Sequence, residues 1–258
     1  AAPEKCAIAA PSFSGYERAV RAAGAEPVFY ELSRDTGFGY ETVCDRLSKM
    51  TVRCFFCAIR IIPREYNPGA DFDGNFTVLC IKKNRVVADE CFLRFHPHYE
   101  KMSCKRFLKQ YPNLLIVNAF TKFYAMAGLR LGYLMTGDLS LLHAVAQQLP
   151  EWNVSSIAQR AGISALQDTE YEKRTRQLIE KERRYLIQEF LKMGCTVFPS
   201  EADYITFRLP QEKTGFLLKE RLLEGKILIR SCANYRNMPP DCYRIAVKQH
   251  AIMRSWSD

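Results

Sequence analysis

Asn118–Tyr133, NAFTKFYAMAGLRLGY, is the stretch on which the fold turns. It continues an apolar run, Leu114–Val117, that reads as a buried strand. Just beyond that strand, Lys122 and Arg130 sit in apolar, glycine-punctuated surroundings. Burying an amine is costly unless it is paired or chemically used. The stretch therefore poses two questions at once: which sheet the strand belongs to, and what the lysine is for.

Upstream, short apolar runs alternate with helical patterns. KCAIAAP (Lys5–Pro11) ends in a turn, and GYERAVRAAG (Gly15–Gly24) is helical and stops at a glycine suited to a C-terminal cap. EPVFYEL (Glu26–Leu32) reads as a strand, YETVCDRLSKM (Tyr40–Met50) as a helix and TVRCFFCAI (Thr51–Ile59) as a buried strand. NRVVADECF (Asn84–Phe92) is a further apolar run, broken by Asp89 and Glu90. Strands alternating with helices argue for a parallel α/β sheet covered on both faces.

Beyond Trp152 a helix-rich run reaches Gly194. Then follow CTVFP, DYITFRL, the helical KTGFLLKERLLEG and two strands, KILIRSC and CYRIAVK. This predicts a large domain over residues 1–167 and a smaller C-terminal α+β domain over 168–258.

The bulk properties bound the function classes. The 258 residues are 48% hydrophobic and 25% charged, ordinary for a globular protein, and no run approaches the length of a membrane span. The opening residues lack a basic head followed by an apolar core, so no signal peptide is read and the cytoplasm is expected. The net charge of +9 admits nucleic acid, but the basic residues are spread out and no groove-reading motif is present. The densest run, EKRTRQLIEKERR, alternates sign as an exposed helix does, so nucleic acid and membrane are not expected partners. The 10 cysteines are scattered and read as reduced. Cys54 and Cys57 form a lone C-x-x-C without a second ligand pair at zinc spacing, so no metal is expected.

In open parallel α/β sheets, ligands sit outside the carboxyl ends of the strands. Asp89, Lys122 and Arg130 fall at such ends. A carboxylate, an amine and a guanidinium suit pyridoxal phosphate: the lysine forms a Schiff base, the acid keeps the pyridine nitrogen protonated, and the arginine binds phosphate.

TKFYAMAGLRLGY and VVADECF resemble fold-type-I pyridoxal-phosphate enzymes. Within them the chain is most similar to the histidinol-phosphate aminotransferase group and its cobalamin-pathway branch, L-threonine-O-3-phosphate decarboxylase. APSFSGYERAV, WNVSSIAQRAG, ILIRSCANY and YRIAVK fit that group in the expected order. The resemblance implies the fold-type-I architecture, pyridoxal 5'-phosphate as cofactor, a homodimer, and a phosphorylated amino acid as substrate. It makes Lys122 the Schiff-base lysine, Asp89 the partner of the pyridine nitrogen, Thr121 and Arg130 the phosphate holders, and Phe13 a ring stacked on the cofactor. Phe92 stands where many relatives have a tyrosine that reaches the cofactor's phenolic oxygen, a bond phenylalanine cannot make. Arg230 and Arg244 would grip the substrate's carboxylate or phosphate, and Asn153 would face the site. The expected reaction is decarboxylation of threonine phosphate; the alternatives are transamination of histidinol phosphate and a truncated remnant without turnover.

Two family features are missing. The chain begins after the family's N-terminal phosphate-binding loop, and the expected NPNNPTG stretch is absent. Arg60–Thr77, RIIPREYNPGADFDGNFT, stands near its place and shows no period. Codons can be chosen for Ala58–Glu65 that, read one frame over, spell Asn-Pro-Asn-Asn-Pro-Thr-Gly. Asp71–Leu79 can be re-read as a leucine-rich helix and the tail AIMRSW as a polar helix start. The hypothesis is a displaced reading frame in these places, which codons incompatible with the re-readings would end.

Overall fold

The computed structural model describes residues 4–33, 50–58, 84–213 and 217–254. The Tyr40–Met50 helix (but for its last residue), the Arg60–Thr77 segment and the final residues lie outside them.

The first elements are β1 (Lys5–Ala10), α1 (Ser14–Ala22), β2 (Glu26–Glu31), β3 (Cys54–Ala58), β4 (Arg85–Asp89), β5 (Leu114–Ala119) and β6 (Gly132–Thr136). The six strands form one sheet in the order β2-β1-β3-β4-β5-β6. Every neighbouring pair is parallel except β5 and β6. The parallel strands bury one face completely and the other in part, with Ile8 and Leu115 closed and Phe56 and Val87 half-buried, which is why they read as apolar runs. Ala7, Phe55, Val86, Ala88, Leu114 and Ile116 are all fully buried along them. Helix α1 ends as its sequence demands: Gly24 takes φ +74°, open to glycine without strain, and turns the chain into β2.

The opening stretch is the reversal between β5 and β6. Ala119 pairs with Gly132 at its base. A Cβ at Gly132 would stand 2.9 Å from the Asn118 carbonyl oxygen, so the antiparallel return requires glycine there. Because β6 runs backwards, the start of β6 and the ends of β4 and β5 share one edge of the sheet.

Helix α2 (Leu139–Ala146) follows β6, capped by the Asp138 carboxylate on the Leu141 amide at 3.0 Å. The helix-rich run is two helices, α3 (Ser156–Gln167) and α4 (Thr169–Lys192). Asp168 sits between them and accepts from the Tyr171 N–H at 2.8 Å, ending one helix and capping the next.

The remaining elements are β7 (Thr196–Phe198), β8 (Tyr204–Arg208), α5 (Leu218–Glu224), β9 (Arg230–Ser231), β10 (Cys242–Ala246) and α6 (His250–Arg254). Their strands form an antiparallel sheet in the order β7-β8-β10-β9. The strand expected over KILIRSC is only Arg230–Ser231, because Lys226 adopts a left-handed φ of +61° and the residues after it approach β10 late. The helix expected from Lys213 begins at Leu218.

Two apolar cores result. One lies against the large sheet and includes Ala7, Tyr30, Phe55, Val86 and Ile116. The other joins the small sheet to α4 and also takes in Phe95, Phe120, Phe123 and Tyr124 from loops at the edge of the large sheet. A buried polar knot stands beside it. Glu172 of α4 accepts from the Tyr124 hydroxyl at 2.5 Å and from Arg176 at 3.0 Å, and pairs with Arg94.

Candidate active site

Asp89 is the last residue of β4, with Val117 of β5 as its register partner. Its carboxylate is fixed from two sides. Oδ1 accepts the Cys91 N–H at 2.9 Å, and Oδ2 accepts the Tyr16 hydroxyl from α1. Glu90, only 3% exposed, accepts from the Ser103 hydroxyl at 2.9 Å and the Cys104 N–H at 2.7 Å. Burial pushes the Glu90 carboxyl up, and these bonds offset part of that rise. The Asp-Glu pair thus divides its work: Glu90 anchors the strand end from within, and Asp89 faces the edge.

Lys122 lies three residues past the end of β5. The expectation of an enclosed lysine is corrected here: Lys122 and Arg130 are exposed, although Phe120, Phe123 and Tyr124 around Lys122 are buried. The chain reverses direction immediately after β5, which carries Lys122 out of the sheet's interior into an open cleft. The cleft has a volume of about 670 Å³. Phe92, Lys122, Asp203, Tyr204, Arg230 and Arg244 are among its lining residues, with Lys219 from α5. The Lys122 ammonium stands 5.4 Å from the centre of the Phe92 ring, an attractive cation–π contact. Phe92 meets Tyr204 edge-on at 5.3 Å, and the Arg244 guanidinium lies 4.6 Å from the Tyr204 ring centre. A continuous line of contacts therefore runs from Lys122 to Arg244.

Arg230 and Arg244 are direct register partners across β9 and β10. Arg230 also lines a small recess with Phe13, Ser14 and Glu17 at the start of α1. Phe13 is 57% exposed and touches Tyr16 edge-on at 5.7 Å, and Tyr16 in turn reaches Asp89. Phe13, Phe92, Lys122, Arg230, Arg244 and Asp89 are thereby linked through shared cavities and contacts.

Five expected site residues, Asp89, Phe13, Arg130, Thr121 and Asn153, are not among the residues lining the cleft. Arg130 shares the sheet edge, but takes a left-handed φ of +54° and donates to the Ala127 carbonyl at 3.0 Å. A non-glycine residue held there costs about 1–2 kcal/mol, the sort of strain that collects at functional sites. Thr121 is half-buried in the turn before Lys122, and Asn153 is exposed beyond Trp152. Neither lines the cleft.

Sequence reasoning assigned no role to Tyr16, Lys219 or Asp203. Tyr16 could have been found, since it lies three residues after Phe13 and so shares its helix face. Asp203 precedes β8 with no local signature. Its Oδ1 is buried without a hydrogen-bond partner, and burial pushes the carboxyl up against its own backbone N–H and the pull of Lys122, Arg244 and Lys248.

The C-x-x-C cysteines do not converge. Cys54 is register partner to Cys6, whereas the Cys57 thiol meets the Tyr30 hydroxyl at 3.7 Å. Residues three apart on a strand point to opposite faces. Among the described residues no group of three or more His, Cys, Asp or Glu is arranged to hold a metal ion, and no helix is long and apolar enough to cross a membrane.

A model of the family "Aminotransferase class I and II" matches residues 2–253. The chain belongs to that family. It is 30% identical over 251 residues to a threonine-phosphate decarboxylase of Salmonella typhimurium, covering 96% of this chain and 68% of that protein. It is also 30% identical to a histidinol-phosphate aminotransferase of Oleidesulfovibrio alaskensis, covering 92% of this chain and 61% of that protein. The structure superposes on a histidinol-phosphate aminotransferase from Clostridium acetobutylicum with a TM-score of 0.83 at 29% identity, over 98% of this chain and 75% of that one. An L-threonine-O-3-phosphate decarboxylase from Porphyromonas gingivalis shares the fold, with a TM-score of 0.77 at 21% identity.

Class I and II aminotransferases are pyridoxal-phosphate enzymes of the same mixed, mostly parallel architecture. The donor set fits that cofactor. An exposed amine is present in a cleft large enough for it, and both Asp89 oxygens keep a second lone pair beside the bond each already accepts. An arginine lies at the same sheet edge.

Proposed function

We propose that this aminotransferase-family chain acts with pyridoxal phosphate on a phosphorylated amino acid, as a threonine-phosphate decarboxylase. The observation that carries a phosphorylated substrate is the Arg230–Arg244 pair in one cleft with Lys122, and the 30% identity to a threonine-phosphate decarboxylase favours that reaction. Like charges directly opposite on adjacent strands repel, and an anion between them reverses that sign.

Lys122 would hold the cofactor through its amine, Asp89 through the pyridine nitrogen, and Arg130 and Thr121 through the phosphate; Phe13 would cover a ring face. Bound there, pyridoxal phosphate supplies the electron sink for the pair left behind when a bond to the amino acid's α-carbon breaks. Tyr16 and the Cys91 amide keep the Asp89 carboxylate aimed. Arg230 and Arg244 orient the substrate by its anionic groups, and Lys122 is the base positioned to move a proton. Phe92 and Tyr204 line the cleft with rings and limit water around the reacting atoms.

Transamination of histidinol phosphate is the second reading, favoured by the 29% identical structural relative. Both substrates carry phosphate, so the arginines serve either. The test is to supply pyridoxal phosphate and offer each substrate separately. Carbon dioxide released from threonine phosphate supports the first reading, and consumption of 2-oxoglutarate with histidinol phosphate the second. Cofactor binding without either product means a chain that folds without turnover.

We read residues 1–167 and 168–258 as the two domains, and the assembly as a homodimer in the cytoplasm. Trp152, Ile157, Ile163 and Leu166 are between 53% and 92% exposed, an apolar surface suited to a partner subunit. The scattered cysteines are read as reduced, which suits that compartment.

A further inference from the structure

Threonine phosphate carries a carboxylate beside its phosphate, whereas histidinol phosphate has none. The Arg230–Arg244 pair answers a phosphate in either. A second anionic group calls for a further cation in the same cleft, and Lys219 lines it.

Helix α5 explains how that lysine comes to be there. Leu218 and Leu222 pack against the core of the small sheet and fix how the helix lies. Lys219 follows Leu218 and stands three residues before Leu222, so it shares their flank of the helix. It is half-buried, whereas Glu220 and Arg221 beyond it are exposed. The positions three and four residues on, from which a helical acid could pair with it, are Leu222 and Leu223.

The charge of the cleft is left open. Lys122, Lys219, Arg230 and Arg244 line it, and Asp203 is the one acid among its described lining residues. Among the described residues none of these four cations enters an ion pair. Other arginines of the small sheet and its connections do: Arg236, between β9 and β10, meets Glu17 at 3.1 Å, and Arg208 of β8 meets Asp241 at 2.7 Å. A cleft lined by one sign of charge concentrates the opposite ion. With Lys122 given to the cofactor, three cations remain for the substrate, one more than the arginine pair that takes a single phosphate.

We propose that Lys219 is a specificity-determining residue: it holds the second anionic group of the substrate and so selects an amino acid phosphate, with its free carboxylate, over an amino alcohol phosphate. The role rests on reading this cleft as the site of a phosphorylated substrate. It adds that the two anionic groups are held by different elements, one by β9 and β10 and the other by α5. Lysine suits the part, because a compact charge on a flexible four-carbon stem follows a small anion without the fixed fork of a guanidinium.

The test is a phosphorus NMR titration of the full chain at low ionic strength without added cofactor, using threonine phosphate and ethanolamine phosphate, which lacks the carboxylate. Wild type should bind threonine phosphate about tenfold more tightly. Lys219→Gln should weaken threonine phosphate about three- to tenfold, the worth of one charge-assisted hydrogen bond in an open cleft, and leave ethanolamine phosphate within about twofold. Lys219→Arg should keep the preference. Unchanged binding of both ligands in Lys219→Gln overturns the proposal, as does an equal loss for both. A wild type that binds neither ligand sinks the reading of the cleft as a phosphorylated-substrate site as well. With pyridoxal phosphate added, KM for threonine phosphate should rise by the same factor in Lys219→Gln, and an unchanged KM counts against the lysine alone.

Discussion

Arg230 and Arg244 face each other across β9 and β10 with no acid between them in the register. Their nearest flat partners are rings: Tyr235, 5.2 Å from Arg230, and Tyr204, 4.6 Å from Arg244. Aromatic faces tolerate a guanidinium without neutralising it, so both charges stay available to an anion. Arg230→Ala and Arg244→Ala should each raise KM for the phosphorylated substrate by about tenfold or more, the value of a charge-assisted hydrogen bond. Each should leave the empty protein as stable as before, or a few tenths of a kcal/mol more so. Steady-state kinetics alongside thermal melts checks both halves; an unchanged KM removes these arginines from substrate binding.

Tyr16→Phe deletes the hydroxyl that Asp89 accepts and keeps the ring stacked on Phe56 at 5.5 Å. Losing one such bond costs about 1 kcal/mol, or about fivefold in affinity. Cofactor titration followed by visible absorbance should show that weakening with little change in melting temperature. Equal cofactor affinity in the two proteins would mean that Asp89 needs no help from α1.

Glu172 is 8% exposed and bound to Tyr124, Arg94 and Arg176. Glu172→Gln leaves two guanidinium groups without their charge partner and should cost about 3 kcal/mol, measured by denaturant unfolding. Burial pushes the Glu172 carboxyl up, but the Tyr124 bond and the two arginines outweigh it and the net direction is down. A depressed carboxylate contributes stability that is complete above its ordinary value of 4.5 and fades as pH falls below it. The variant should therefore lose the part of the acid dependence that lies below that pH.

His96 gives a second, separate acid window. Burial, His98 and Arg183 push it down from 6.5 to about 4. Its Nδ1 accepts the His98 N–H at 3.0 Å, a bond that protonation at that nitrogen would break. The unfolded chain takes up this proton first, so stability is complete above 6.5 and falls as pH drops from there towards 4. Unfolding measured across that interval should show a shallower slope in His96→Gln; an unchanged slope assigns the acid sensitivity to other groups.

The large sheet was legible because parallel strands with one face buried and the other largely covered leave apolar runs, and Gly24 and Gly132 mark reversals that only glycine makes easily. The placement of Lys122 was harder to read. Apolar neighbours in sequence suggested an enclosed amine, yet those neighbours turn inward around it, with Phe123 and Tyr124 buried while Lys122 points out. The short β9 was over-read because Ile227, Leu228 and Ile229 have strand character but lie outside the ladder.

The rings of Phe92 and Tyr204 join the two walls of the cleft, with Lys122 at one end and Arg244 at the other. Only the Phe92–Tyr204 contact crosses from one side to the other, and a ring pair of this kind is worth about 0.5–1.5 kcal/mol, about one to three times thermal energy. It favours one width without locking it. A molecule that enters can part the rings with a single good contact of its own.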